Sequence, residues 1–257
     1  MEQVAAYIVT WLKTYCLEAH QEGFIVGISG GVDSALTSTL CARTGLPTLV
    51  VSMPIHQKPD QLARARQHME WLSTHFGQVK SMDCDLTSPF ENLRAHLPEE
   101  AAQHELSMAN TRSRLRMTTL YALGQTHRYL VAGTGNKIED FGVGFYTKYG
   151  DGGVDISPIA DLTKTEVWAL AKHMGVSEDI TTAKPTDGLW GVDRTDEEQL
   201  GATYPELEWA MEFQGNEKEL TPRQEEVLQI YRRFHAMNEH KMKPIPVCRI
   251  PEELKRT

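Results

Sequence analysis

The spacing of apolar positions changes several times along the chain, and each change marks an element. Between Glu2 and Gln21, Val4, Ile8, Trp11, Leu12 and Tyr15 recur at helical spacing, which predicts an amphipathic helix. Short apolar runs follow at 24–28, 48–52, 78–82 and 129–132, each of a length suited to a buried strand. Helical patterns lie between them: Ser34 to Arg43, Pro59 to Phe76 with Leu62, Ala65, Met69 and Leu72 on one face, and Leu106 to Gln125 with Leu115, Thr119 and Ala122. Strands alternating with helices imply right-handed crossovers, so the predicted fold is α/β, a doubly wound parallel sheet flanked by helices. Ligands of such sheets bind beyond the carboxyl ends of strands, where the loops after Ile28 and Ala132 emerge.

At 141–155 the periodicity fails; this segment has five glycines and predicts a mobile loop. Helical spacing resumes from Leu162 to Met174, with Thr163 as N-cap and Glu166 completing a capping box. A second irregular stretch covers 181–195, and helices are predicted at 195–201, 205–212 and 222–238. Pro244 and Pro246 keep the following tail from being helical. The organisation is therefore one domain over 1–257: an N-terminal helix at 1–22, an α/β core at 23–180 with a lid loop at 141–155, and a loop with a helical C-terminal extension at 181–257.

Composition narrows the partners. A length of 257 residues suits one sizeable core. Lys plus Arg is 26 against 35 for Asp plus Glu, and the net charge of −9 argues against nucleic acid as a partner. Cys16, Cys41, Cys84 and Cys248 form no Cys-x-x-Cys pair, which disfavours a zinc site and a disulfide framework and suits a reducing compartment. No apolar run approaches the roughly 20 residues of a membrane span, and Met1-Glu2-Gln3 lacks the basic start of a secretion signal. The expectation is a cytoplasmic protein with no membrane partner.

The chemistry is concentrated in Ser29-Gly30-Gly31-Val32-Asp33-Ser34, between the first predicted strand and the next helix. Glycines there let consecutive N–H groups converge on an anion at the positive end of a helix. Ser29 and Ser34 add hydroxyls, whereas Asp33 would repel a bare phosphate and so implies a bridging cation such as Mg²⁺. No lysine follows the glycines, so the loop is not a Walker A sequence. It resembles the pyrophosphate loop of the ATP pyrophosphatases, which release AMP. Three further stretches stand in order behind it: Gly133-Thr-Gly-Asn-Lys-Ile-Glu139, Thr147-Lys-Tyr-Gly-Asp-Gly-Gly-Val-Asp155 and Asp161-Leu-Thr-Lys164. With Asp196 to Gly201, Tyr204 and His240-Lys241, these make nearly the whole chain similar to the ammonia-dependent NAD synthetases.

That resemblance implies an adenine nucleotide alpha hydrolase-like fold and a reaction in which ATP adenylates nicotinic acid adenine dinucleotide (deamido-NAD) and ammonia then displaces AMP. It implies ATP binding by Gly27, Ile28, Ser29, Gly30, Gly31, Val32, Asp33, Ser34, Thr134, Lys164 and Thr186, with Asp33 and Lys164 catalytic and Mg²⁺ on Asp33 and Glu139. Deamido-NAD falls to Arg114, Lys148, Asp155, His240 and Lys241, and the assembly to a homodimer with the dinucleotide near the subunit boundary. Arg112 and Arg116, two positions either side of Arg114, are expected to point elsewhere, as surface charges or in ion pairs between subunits. Trp168, Trp190 and Trp209 read as packing residues. The loop at 141–155 is expected to close as a lid, carrying Lys148 inward and excluding water. About 28 residues precede the glycine loop, too few for an appended glutaminase domain, so ammonia is the expected nitrogen donor. Two alternatives stay open: another ATP pyrophosphatase, such as a GMP synthetase-like or tRNA-modifying enzyme, and a nucleotide-binding module without catalysis.

Overall fold

The computed structural model describes residues 1–185 and 195–255. At its centre four parallel strands, β1 (Gly23–Gly27), β2 (Thr48–Ser52), β3 (Val79–Asp83) and β4 (Tyr129–Val131), stand in the order β3-β2-β1-β4. Phe24 of β1 pairs with Thr48 on one side and with Leu130 on the other. The chain thus runs outward from β1 to β3 and then returns to the opposite flank of β1. Between β1 and β4 the winding reverses, and a crevice opens beyond their carboxyl ends.

Alternation along each strand divides the core. Phe24, Val26, Val50 and Leu130 face a layer made of α1 (Glu2–Glu18), α2 (Val32–Arg43) and α3 (Pro59–His75). Ile25, Leu49, Val51 and Val131 face the other side. There Phe90 and Met108 meet them, from α4 (Thr87–His96) and from α6 (Glu105–His127), which follows the short α5 (Glu99–Gln103). The first layer is completed by α7 (Lys164–His173) and α8 (Glu178–Thr181). Each fully buried Leu, Ile or Phe in these layers contributes roughly 1.5–3 kcal/mol. The C-terminal extension has an apolar centre of its own. Ile138 and Val143, from a π-helical turn at Ile138–Val143, pack with residues of α9 (Asp196–Leu200), α10 (Tyr204–Glu212) and α11 (Pro222–Met242). A last short helix, α12, spans Glu252–Lys255.

Ten of the twelve residues of α2 are buried, so its hydroxyls must bond inward. Ser38 donates to Ser34 O at 2.8 Å and Thr39 to Ala35 O at 2.7 Å. With the Ser38 proton given to the backbone, the buried His68 of α3 donates from Nε2 to Ser38 Oγ at 3.0 Å.

The structure departs from the sequence reading in three places. The buried stripe of α1 is Ala5, Ile8, Leu12 and Cys16, whereas Val4, Trp11 and Tyr15 are exposed. Helical spacing allowed either stripe, and close packing on α2 takes the one with smaller side chains. Residues 87–96 and 99–103 are helical, although no element was expected there. The segment at 141–155 is anchored along its length. Asn238 Nδ2 donates to Val143 O at 2.8 Å, Thr147 Oγ1 to Asn110 at 2.6 Å and Ser113 Oγ to Asp151 at 2.7 Å. Its glycines serve tight packing against α6 and α11; a Cβ at Gly144, where φ is +65°, would also collide with Asn238.

Candidate functional site

Beyond β1 and β4 lies a cavity of about 270 Å³, lined by the whole of 27–34 together with Thr134, Glu139 and Lys164. The glycine loop is braced internally. Ser34 Oγ donates to Gly31 O at 3.0 Å, and Gly31 N donates to Ser29 Oγ at 3.2 Å. Gly30 has φ of +86°, and a Cβ on it would stand 2.5 Å from Gln61 O of α3, so both conformation and space require glycine. With the serine hydroxyls engaged in the loop, the positive end of α2 is the loop's principal attraction for an anion.

Three charged side chains from distant parts of the chain meet at this end. Lys164 Nζ donates to Asp33 Oδ2 at 2.6 Å and to Glu139 Oε1 at 2.9 Å. The Lys164 side chain is 2% exposed. Burial opposes its charge, but the adjoining Asp33 and Glu139 more than reverse this and hold the ammonium protonated. Burial likewise acts to raise Glu139, yet Lys164 and the Tyr204 hydroxyl bring its carboxyl below the ordinary range. Asn136, fully buried, ties the Asp33 carboxylate to the backbone of Glu139: its Nδ2 donates to Asp33 Oδ1 at 3.0 Å, and its Oδ1 accepts from Glu139 N at 3.1 Å.

Helix starts position these groups. Lys164 opens α7, where the Thr163–Glu166 capping box forms as expected. A cation at a helix N-terminus opposes the dipole. Glu208 of α10 counters this locally, accepting from Thr165 N at 2.8 Å and from Thr165 Oγ1 at 2.7 Å. Tyr204, four residues earlier on α10, donates its hydroxyl to Glu139 Oε1 at 2.6 Å. Neither Tyr204 nor Asn136 was singled out as a site residue from the sequence.

The donor set suits a hard divalent cation. Asp33 and Glu139 already converge on one cationic nitrogen, and both are oxygen donors. Nearby, the Asp140 carboxyl is pushed up to about 8, by burial first and then by Glu139, Asp151 and Asp33. Among the described residues no group of three or more ligating side chains is assembled, so further ligands would be phosphate oxygens and water.

Arg116 corrects the sequence reading: it lines the cavity. Its Nε donates to Met53 O at 3.0 Å and its Nη2 to Gln57 at 3.1 Å, fixing the loop that follows β2. Met53, Pro54, Met117, Leu120 and Val154 give this part of the cavity an apolar lining suited to a planar base. Arg112 lies over the Phe90 ring instead, 4.8 Å from its centroid.

The five residues assigned to deamido-NAD lie outside the cavity lining. Four of them gather on the outer side of the 141–155 segment. Arg114 Nε donates to Lys148 O at 3.3 Å, Lys148 Nζ to His240 O at 3.0 Å, and Lys241 Nζ to Tyr146 O at 2.8 Å. Asp155 is apart from them, accepting from Tyr121 OH at 3.0 Å and Val131 N at 2.8 Å. Trp168 and Trp209 pack as expected. Thr186 and Trp190 lie outside the described residues.

Comparison with known proteins adds a consistent picture. Residues 4–245 match the NAD synthase family model. The chain is 41% identical to the NH3-dependent NAD+ synthetase of Carboxydothermus hydrogenoformans, covering 80% of this chain and 84% of that protein. It is 34% identical to the NH3-dependent NAD+ synthetase of Mesoplasma florum, covering 100% and 99%. The solved NMN synthetase of Francisella tularensis superposes with a TM-score of 0.86 at 29% identity, covering 97% of this chain and 98% of that one.

Proposed function

We infer, from the premise that the chain belongs to the NAD synthase family, that the cavity beyond β1 and β4 is the ATP site of an ammonia-dependent NAD synthetase. The enzyme is a ligase that amidates deamido-NAD with ammonia and converts ATP to AMP and pyrophosphate. The observation that carries the site is the placement of Lys164, Asp33 and Glu139 at the open end of the glycine loop.

The chemistry needs no covalent nucleophile from the protein. A carboxylate oxygen of the substrate attacks the α-phosphorus of ATP, forming an O–P bond as the bond to the bridging oxygen breaks and pyrophosphate departs. Ammonia then attacks the acyl carbon, a C–N bond replaces the C–O bond, a proton is lost, and AMP leaves. What the chain supplies is alignment and charge. Gly27 to Ser34 and the α2 N-terminus would receive the leaving pyrophosphate, with Thr134 beside them. Lys164 would offset the negative charge that grows on the phosphates. Asp33 and Glu139 would hold Mg²⁺, which supplies further neutralisation of the phosphates when bound. Arg116, Met53 and Leu120 would meet the base, and Arg114, Lys148, Asp155, His240 and Lys241 are proposed for deamido-NAD from the resemblance. Thr186 is proposed for ATP from the resemblance alone.

A homodimer is the assembly we expect, and the exposed Val4, Tyr7, Trp11 and Tyr15 of α1 offer an apolar face for one. Among the described residues no helix is long and apolar enough to cross a membrane. The charge balance, the unpaired cysteines and the use of ATP favour a cytoplasmic enzyme without nucleic-acid partners.

A second reading concerns the acceptor. The likeness to an NMN synthetase over almost the whole chain favours nicotinic acid mononucleotide, which presents the same carboxylate without the AMP half. One experiment separates the two. The purified chain is supplied with ATP, Mg²⁺, ammonium and either deamido-NAD or nicotinic acid mononucleotide at equal concentration, and the amidated product and AMP are quantified. Higher kcat/KM for deamido-NAD supports the NAD synthetase reading; a reversed preference supports the mononucleotide. ADP in place of AMP would overturn both.

A further inference from the structure

One side chain touches both members of the Lys164–Glu139 pair. The Tyr204 hydroxyl donates to Glu139 Oε1 at 2.6 Å, and Lys164 Nζ lies 4.8 Å from the centroid of its ring. Tyr204 is fully buried and, among the described residues, heads the fully buried side chains by volume. A phenol has one proton to donate. Asp196 Oδ2 is also near at 3.4 Å, but the shorter contact to Glu139 takes the proton. Lys164 donates to the same Oε1 at 2.9 Å, so one carboxylate oxygen carries two donors and the rotation of the group is fixed.

The ring is held independently of any ligand. Tyr204 is the first residue of α10, behind a Thr203–Glu206 capping box, and its N–H donates to Glu197 Oε1 at 3.0 Å. Trp168 of α7 stands edge-on at 5.9 Å between ring centroids. Because Glu208 of the same helix grips Thr165, α10 fixes Lys164 and Glu139 relative to one another.

We propose that Tyr204 is a positioning residue for the amidation: through its hydroxyl it sets the orientation in which Glu139 meets the cation that accompanies ATP. This rests on the ATP-site reading above. Tyr204→Phe keeps the ring and its packing but removes the hydroxyl, so it separates positioning from core filling. The measurement is Mn²⁺ binding, followed by electron paramagnetic resonance, to the full chain with a non-hydrolysable ATP analogue. The phenylalanine variant should bind Mn²⁺ roughly tenfold more weakly, in keeping with loss of a hydrogen bond to a charged group. Half-saturating Mg²⁺ for turnover should rise in parallel, with the KM for the nicotinate substrate unchanged.

In a Glu139→Gln background the same substitution should have no further effect on Mn²⁺ affinity. Trp168→Phe, which disturbs only the packing around the ring, should lower the melting temperature and leave Mn²⁺ affinity alone. Wild-type Mn²⁺ affinity in Tyr204→Phe, or an equal loss when Glu139 is already Gln, overturns the proposal. Since Mn²⁺ binding needs no turnover, a chain that failed to make NAD yet showed this coupling would refute the functional reading and leave the role of Tyr204 standing.

Discussion

Lys164→Met would leave the carboxylates of Asp33 and Glu139 facing a thioether where an ammonium stood. Their bonded oxygens lie 2.6 and 2.9 Å from the same nitrogen, and are therefore no more than about 5.5 Å apart. Two unit charges at that separation repel by roughly 3 kcal/mol at an effective dielectric of about 20. Removing one partner of a buried ion pair costs about 3–5 kcal/mol in general, so the two figures agree. In a chain of this size each kcal/mol moves the melting temperature by roughly 2–4 °C, and the variant should melt roughly 10 °C below the wild type. The assay is differential scanning calorimetry during a MgCl2 titration, with NaCl at matched ionic strength as the comparison. Mg²⁺ at about 100 times its dissociation constant should restore about 2.7 kcal/mol to the variant. Without ATP, whose phosphates bring the cation in, the wild type should respond little, because its own ammonium already neutralises the pair. An unchanged melting temperature, or equal recovery in NaCl, would refute the view that Lys164 fills a cation place between two carboxylates.

Two further outcomes test other links. Burial pulls the His68 imidazole down to about 4 from 6.5, slightly opposed by the Ala35 backbone, so the folded state keeps it neutral while the unfolded chain takes up a proton below pH 6.5. Its contribution is therefore complete above about pH 6.5 and is lost as pH falls toward 4, by about 2 kcal/mol between pH 7 and 5. His68→Gln should flatten that part of the urea-denaturation stability profile; parallel profiles for variant and wild type would contradict it. Lys148→Ala should depress kcat/KM for the nicotinate substrate while leaving ATP affinity close to intact, because Lys148 lies on the outer side of its segment, against His240. Isothermal titration with the ATP analogue checks this, and lost ATP affinity would place Lys148 in the wrong site.

Local signals were legible where local physics decides. The Thr163–Glu166 capping box and the strand at 48–52 depend on neighbours in sequence and appear where expected. What the site lacked in the sequence was its long-range pairing. Asp33 and Lys164 are separated by 131 positions, and nothing in either motif shows that they bond to each other. Asn136 and Tyr204 act through neutral polar groups, which carry no charge pattern to detect. Arg116 differs from expectation because α6 turns its arginines to different neighbours: Arg116 lines the cavity, whereas Arg114 meets the backbone of Lys148. Reasoning from one ligand-facing stripe finds one of them. The missed helix at 87–96 did have a signal, since Leu86, Phe90, Leu93 and Leu97 recur at helical intervals.

The grip of Glu208 on Thr165 has a meaning for how the protein divides. Asp33, Glu139 and Lys164 of the proposed ATP site all precede position 165, and a search by motif would call the first 180 residues a self-sufficient nucleotide module. The helix that braces the lysine and the hydroxyl that meets Glu139 come from beyond position 200. Grafting the front part onto another protein would therefore transfer the sequence signature of ATP use without the assembled site, and the smallest unit that can inherit the chemistry ends no earlier than α10.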